Sequence, residues 1–161
     1  MTRDLERTAA SEPTGPNAVH ALTHAETEAV LARQHAGRLA FTFHDRPSIS
    51  LMWYVYADGW IYARMANDGA RSVLQHNQWV AFEVDEVVSL LEWRSVTGHG
   101  SVQFLDNDQT SPDWKAFNNA LAALRAFAPW VRTRDDPFPD RTQLYRIYVD
   151  EMTGREARPR H

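Results

Sequence analysis

The stretch "SISLMWYVYADGWIYARM", Ser48 to Met65, decides how this chain folds. It contains two runs dense in β-branched and aromatic residues, parted by Ala57-Asp58-Gly59. Such runs suit a pleated, half-buried strand. Asp-Gly readily adopts the positive φ angles of a two-residue hairpin turn. The pattern therefore predicts an antiparallel hairpin. Alternate residues of a strand share a face. Leu51, Trp53 and Val55 fall on one side, and Ser50, Met52 and Tyr54 on the other. On the second strand Tyr62 and Arg64 point the same way. One wall of the hairpin thus carries flat and apolar side chains, with Arg64 at its end.

The same punctuation extends in both directions. Upstream, Thr23 with Glu26 forms a capping box, and Gly37 supplies a stop, which predicts a helix from His24 to Ala36. "RLAFTFHDRP" reads as a strand ended by Asp45 and Pro47. Downstream of the hairpin, Asn67-Asp68-Gly69 marks a turn, and "ARSVLQHN" makes about two helical turns. "WVAFEVDE" is a fourth strand. "WRSVTGHGSVQFL" is a long fifth one, in which Gly98 and Gly100 mark a bend or bulge. Ser111 as N-cap and Pro112 at the first helical position open a helix that Pro129 closes. "RTRDDPFPD" is an open loop, and "QLYRIYVDEMTG" is a sixth strand.

Short strands joined by turns, without regular βαβ alternation, exclude a doubly wound parallel sheet. The expected class is mainly β: a six-stranded antiparallel barrel with two to three peripheral helices. A small antiparallel sheet with helices on one face is the alternative. Residues 1–22 are polar, carry Pro13, Gly15 and Pro16, and read as a flexible N-terminal tail. Residues 23–161 form one domain.

The chain has 161 residues, 43% of them hydrophobic and 24% charged, enough to build a sizeable core. Its net charge of −4 gives no electrostatic case for nucleic acid or an anionic membrane as partner. No apolar run is long enough to cross a bilayer, and the N-terminus lacks the apolar segment of a signal peptide. With no cysteine there is no disulfide, thiolate nucleophile or cysteine metal site. A cytoplasmic location is expected.

Most familiar catalytic signatures are missing. Gly98-His99-Gly100 lies inside a strand and lacks the third glycine of a dinucleotide fingerprint. Among seven histidines, His20 and His24 are four apart, but His20 precedes the helix cap. His44, His76 and His99 belong to no metal-ligand motif, so no metal site is expected. Asp135 and Asp136 are adjacent, point apart in extended chain, and read as structural or solvated. Ser95 follows Arg94 on a strand, without the elbow of a serine hydrolase. What remains is the turn after the hairpin. Backbone N–H groups at a helix start, with Arg71 and Ser72, can bind an anion, and arginine can grip phosphate in a bidentate fork. A planar heterocycle with a phosphate tail suits such a wall and turn.

"GRLAF", "PSISLMWYVY", "DGWIYARM", "NDGARSVLQHNQWVAFEVDE", "WRSVTGHGSV" and "LYRIYVDEMTGREARP" follow one another in an order that resembles the pyridoxamine 5′-phosphate oxidase-like family of flavin-binding split β-barrels. The resemblance is closest to its nitroimidazole-resistance-type branch and covers about Thr23 to Pro159. It implies a homodimer that binds FMN at the subunit interface and performs redox chemistry on a small-molecule substrate. Carried over, Leu51, Met52 and Trp53 lie along the isoalloxazine ring. Tyr62, Ala63 and Arg64 line the ribityl and phosphate path. Arg71 and Ser72 take the phosphate, while Arg94 and Ser95 approach from the fifth strand. Related barrels use a deazaflavin coenzyme or haem; for the long anionic tail of a deazaflavin, Arg125, Arg132 and Arg134 offer basic groups. A cofactor-free binding module on the same barrel is a further alternative. The C-terminal tryptophan and arginine segment typical of true pyridoxamine phosphate oxidases is missing, the end here being "EMTGREARPRH", so pyridoxal phosphate synthesis is not expected.

Overall fold

The computed structural model describes residues 19–159. Residues 1–18 of the expected tail therefore lie outside the described residues. Val19–Ala21 instead forms a short strand, β1, paired with the last strand of the chain. Next come α1 (His24–Arg33), β2 (Ala36–Phe43), β3 (Arg46–Ala57), β4 (Trp60–Met65) and α2 (Gly69–His76). They are followed by β5 (Trp79–Ser89), β6 (Glu92–Phe104), α3 (Trp114–Phe127) and β7 (Gln143–Ala157).

The strands run β1-β7-β4-β3-β2-β5-β6, all neighbours antiparallel, and β6 pairs again with β7. Strands β2 to β7 therefore close into the expected six-membered ring, with β1 added outside it. β7 makes closure possible by its length. One edge pairs with β6 from Phe104↔Tyr145 to Trp93↔Ala157. The other pairs first with β4 and then with β1.

The glycines of β6 do what their positions imply. The register with β7 slips between His99 and Gly100, so the bend is a true bulge. A Cβ on Gly100 would lie 2.1 Å from the Tyr148 carbonyl oxygen, and one on Gly98 2.3 Å from the Phe82 ring. Gly37 departs from expectation. Helix α1 already ends at Arg33, capped by Gln34, and Gly37 sits within β2. A Cβ there would approach the Glu83 carbonyl to 2.8 Å, so glycine lets β5 come close rather than ending a helix.

Three other boundaries moved. The β2–β3 turn is His44-Asp45, with φ of 48° and 60°. This matches the turn at Asp58-Gly59, with φ of 52° and 80°. Pro47 lies in β3, opposite Thr42. It is tolerated because β4 pairs only with Tyr54–Ala57, which leaves the first half of β3 with a free edge. Helix α3 starts at Trp114 with Asp113 as its cap. Ser111 serves the turn before it, its Oγ accepting from the Asp113 N–H at 3.2 Å. The capping box of α1 is formed as expected, with Thr23 N–H donating to Glu26 Oε2 at 2.8 Å.

Two cores result. Met52, Tyr54, Ile61, Phe82, Val96 and Ile147 are among those filling the barrel, with α1 contributing Val30 and Leu31 and α2 contributing Leu74. Outside β4 and β7, α3 packs Ala116, Phe117, Ala120 and Leu124 over Tyr62 and Leu144. Among the described residues no helix is long and apolar enough to cross a membrane.

Gly100→Ala forces a methyl group against backbone and is expected to cost about 1–3 kcal/mol. Gly69 opens α2 with nothing within 4 Å of an added Cβ. Gly69→Ala should be neutral or stabilise by about 0.4–1 kcal/mol. A urea midpoint that falls for Gly100→Ala and holds or rises for Gly69→Ala would bear this out.

Candidate functional site

The hairpin's two faces separate as the alternation requires. Met52 and Tyr54 point into the barrel and are buried. Leu51 and Trp53 point outward, each 51% exposed, and Ile49 beside them is 72% exposed. This apolar row lies on the half of β3 that lacks a β4 partner.

Between outer β3 and α3 opens a cavity of about 290 Å³. Trp53 and Val55 form its strand side; Leu124 and Phe127 come from α3; Trp130 and Phe138 come from the loop that follows. Among the described residues its charged lining groups are Arg64 and Arg141. Arg141 lies over the Phe138 ring at 5.4 Å.

Arg64 is not free to bind a ligand's phosphate. Its guanidinium makes a bidentate ion pair with Asp136, Nη2 donating to Oδ1 at 2.9 Å. The side chains are 9% and 3% exposed. Asp136 also accepts the backbone N–H groups of Arg132 at 2.8 Å and Phe138 at 2.9 Å. Arg64 chiefly, aided by these amides, holds the Asp136 carboxyl well below the usual carboxylate range. Its neighbour Asp135 is 80% exposed, so the adjacent pair does split into one structural and one solvated carboxylate.

The turn after β4 also differs from the expected anion seat. Asp68 caps α2, its carboxylate accepting from the Ala70 N–H at 3.0 Å. A phosphate placed on that helix start would meet a fixed negative charge. The Ser72 hydroxyl turns back to the Asp68 carbonyl and is exposed. Arg71 instead leans away from the helix start, with Nε donating to Gln143 Oε1 at 3.0 Å. It enters a second, more polar cleft of about 390 Å³ with Arg132.

The remaining expected residues lie elsewhere. Ala63 faces the barrel interior, and Tyr62 is covered by α3, where burial pushes its hydroxyl pKa up. Arg94 belongs to an ion-pair network with Glu86 at 3.3 Å and Glu156 at 3.1 Å. Arg33 joins at Glu86 and Arg158 at Glu156. Ser95 Oγ donates to Glu83 Oε1 at 3.3 Å. Within one chain, therefore, Trp53 and Arg64 meet at the cavity, Leu51 lies further along the outer row of β3, and Arg94 and Ser95 do not join them. Of the basic groups offered for a longer anionic tail, Arg132 reaches the second cleft. Arg125 is spent on the carbonyls of Val131 and Arg132, and Arg134 is exposed beside Asp135.

The family model described as pyridoxamine 5′-phosphate oxidase matches residues 23–156. Among solved structures, an FAD-binding protein from Mesorhizobium loti is 24% identical, with a TM-score of 0.71 over 87% of this chain and 99% of that one. An FAD-binding protein from Mycobacterium smegmatis is 19% identical, with a TM-score of 0.63 over 86% and 100%. A candidate 5-nitroimidazole antibiotic resistance protein from Bacteroides thetaiotaomicron is 18% identical, also at 0.63, over 86% and 87%. At these identities the likeness is one of fold. No curated protein sequence matches the chain significantly.

Arg33 above all draws the Glu86 carboxyl down to about 2 from an ordinary 4.5. Because the folded value is the lower one, the stabilisation is complete above pH 4.5 and is lost as pH falls toward 2. Arg33 is 46% exposed, so solvent weakens the pair. Glu86→Gln should cost about 1–2 kcal/mol at neutral pH, where a charged hydrogen bond is removed. Unfolding curves of variant and wild type should converge near the bottom of that acid window.

Proposed function

Because this chain belongs to the pyridoxamine 5′-phosphate oxidase family, we infer that it is a flavin-binding oxidoreductase, with FMN as cofactor and a small molecule as substrate. The observation that carries the reading is Trp53. It borders the apolar cavity and stands in the exposed row of β3, so a flat ring laid on it gains stacking area and shelter from water. A bound flavin would supply the electron transfer. The protein would bind the ring, orient it and exclude water around it. FAD carries the same ring, and FAD is what two of the structural neighbours are described as binding.

The reading includes a homodimer. A free strand edge flanked by Ile49, Leu51 and Trp53 is a surface that a second copy would cover. Arg94 and Ser95, absent from the wall in one chain, would then reach the flavin from the other protomer. In this reading Arg71 is the cation for the flavin phosphate.

A second reading keeps the barrel without a cofactor. It is favoured by Asp68 on the α2 start and by Arg64 being spent on Asp136. The expected phosphate seat is filled by the protein's own groups. A deazaflavin coenzyme or haem would meet the same filled seat.

Titration with FMN, FAD and riboflavin distinguishes these readings. Saturable quenching of flavin fluorescence by micromolar protein is expected. Trp53→Ala should weaken it by about 1 kcal/mol, several-fold in affinity. No binding of any flavin would leave the cofactor-free module standing.

Leu51→Glu puts a charge on the outer row of β3 without touching the barrel interior. Sedimentation should report a dimer for the wild type and a monomer for this variant. A monomeric wild type would remove the dimer from the reading.

A further inference from the structure

The apolar cavity beside outer β3 holds one cation that the protein leaves unanswered. Trp53, Leu124, Phe127, Trp130 and Phe138 give it flat and branched apolar walls. Of its two guanidiniums, that of Arg64 is neutralised by Asp136. Arg141 is half-buried and backed by the Phe138 ring. Among the described residues its guanidinium makes no ion pair and meets no protein acceptor, and no carboxylate or side-chain amide lines the cavity. The hydroxyl of Tyr54, also in the lining, is turned away to the Leu31 carbonyl, to which it donates at 2.8 Å. Asp140, next to Arg141 in the chain, is exposed, and Asp135 sits beside Arg134.

Arg141 is held from both sides. Its backbone N–H donates to the Phe138 carbonyl at 3.1 Å. Its own carbonyl accepts from Arg64 Nη1 at 3.4 Å. The Phe138 N–H in turn donates to Asp136. The buried ion pair therefore fixes both the unanswered cation and the ring behind it, so little ordering is left for a ligand to impose.

A ligand for such a cavity needs an apolar body and one anionic end. A sugar or nucleoside would give up hydrogen bonds to water and find few replacements on these walls. A guanidinium fork matches the two oxygens of a carboxylate, and partial shelter from water strengthens the pairing. A dry cavity of about 150 Å³ accepts benzene. At about 290 Å³ this one has room for a fused two-ring aromatic or a branched chain of similar bulk.

We propose that this cavity binds apolar monocarboxylates, with Arg141 pairing the carboxylate and the aromatic walls holding the hydrocarbon part. That such an acid is the substrate rests on the flavin reading, in which the ring lies on Trp53 at the cavity's border. The binding site itself does not rest on it.

The test uses the full chain with 2-naphthoate as probe and naphthalene-2-carboxamide as its neutral counterpart, followed by calorimetry and by quenching of tryptophan fluorescence. Wild type binds 2-naphthoate saturably, about tenfold or more tighter than the amide, as a charged hydrogen bond requires. Arg141→Gln abolishes that preference while the amide still binds as before, and Arg141→Lys restores part of it. Phe127→Ala, in the wall, weakens both probes alike. Arg134→Gln, at an exposed arginine outside the cavity, leaves both affinities within about twofold of wild type. Equal affinity of wild type for the two probes, or binding of neither, overturns the proposal. So does an Arg134 variant that loses as much as the Arg141→Gln one, which would mean diffuse charge attraction. Riboflavin is then added. Competitive displacement of 2-naphthoate makes the cavity the ring's own seat and overturns the proposal, whereas a ternary complex supports the substrate role. Saturable binding of 2-naphthoate without binding of any flavin retires the flavin reading and leaves the carboxylate site standing.

Discussion

The ion pair between Arg64 and Asp136 organises this side of the molecule. It joins the outer face of β4 to a loop 72 residues further along the chain. Burying two charges is costly, and it is tolerable only when geometry and added hydrogen bonds satisfy them. Both conditions hold here. The fork is bidentate, and two backbone amides share the carboxylate. One acceptor thus fixes the loop at three points: a strand guanidinium, the N–H of Arg132 and the N–H of Phe138. Trp130 closes over the guanidinium at 5.4 Å. The pinned loop gives Trp130 and Phe138 to the apolar cavity and Arg132 to the more polar cleft, so part of the wall of each is held by a single buried contact.

The barrel supplies the rigid half of the arrangement. Its strands must close a ring of six, and β6 and β7 achieve this by close backbone approach at Gly98 and Gly100. The bulge there bends the longest pair of strands without leaving side chains in the way. With the ring closed, α1 and α2 pack against its interior, and α3 is left to cover β4 and β7 from outside. That division leaves the first half of β3 bare. The free edge is therefore a consequence of closure: β4 is only six residues long and cannot accompany all of a twelve-residue β3.

Much of this was legible in the residues themselves. Period-two alternation put Leu51 and Trp53 outside and Met52 and Tyr54 inside, because a strand has no other way to point them. Asp58-Gly59 gave the hairpin, and Gly98 and Gly100 gave the bulge. Gly37 misled because glycine ends helices and also permits close strand contacts, and only the position of β5 decides which. His44-Asp45 misled because Pro47 looks like a strand terminator until its edge is known to be free. The site was less legible. Arg64 could be placed on the wall, but nothing local marks Asp136, rather than Asp135, as its partner. Trp130, Phe138 and Arg141 lie in a loop that reads as open, and their role comes from long-range packing. Arg71 stood out in the sequence as a candidate anion ligand; the direction it takes depends on Gln143, which lies 72 residues away.

These placements separate two demands that the hairpin and its turn seemed to meet together. A flat ring needs an apolar, sheltered surface, and outer β3 with α3 provides it. An anion needs uncompensated cations and donors, and at the α2 start the Asp68 carboxylate already takes the Ala70 N–H and sets a negative charge there. A capping carboxylate stabilises the short helix at any neutral pH. The same charge repels a phosphate from that point. The chain resolves the conflict by geometry: three positions past the cap residue, Arg71 projects toward Gln143 at the start of β7, into the cleft it shares with Arg132. Local stability of α2 and affinity for an anion can then coexist, because the group that secures the helix and the groups that would bind the ligand face different directions.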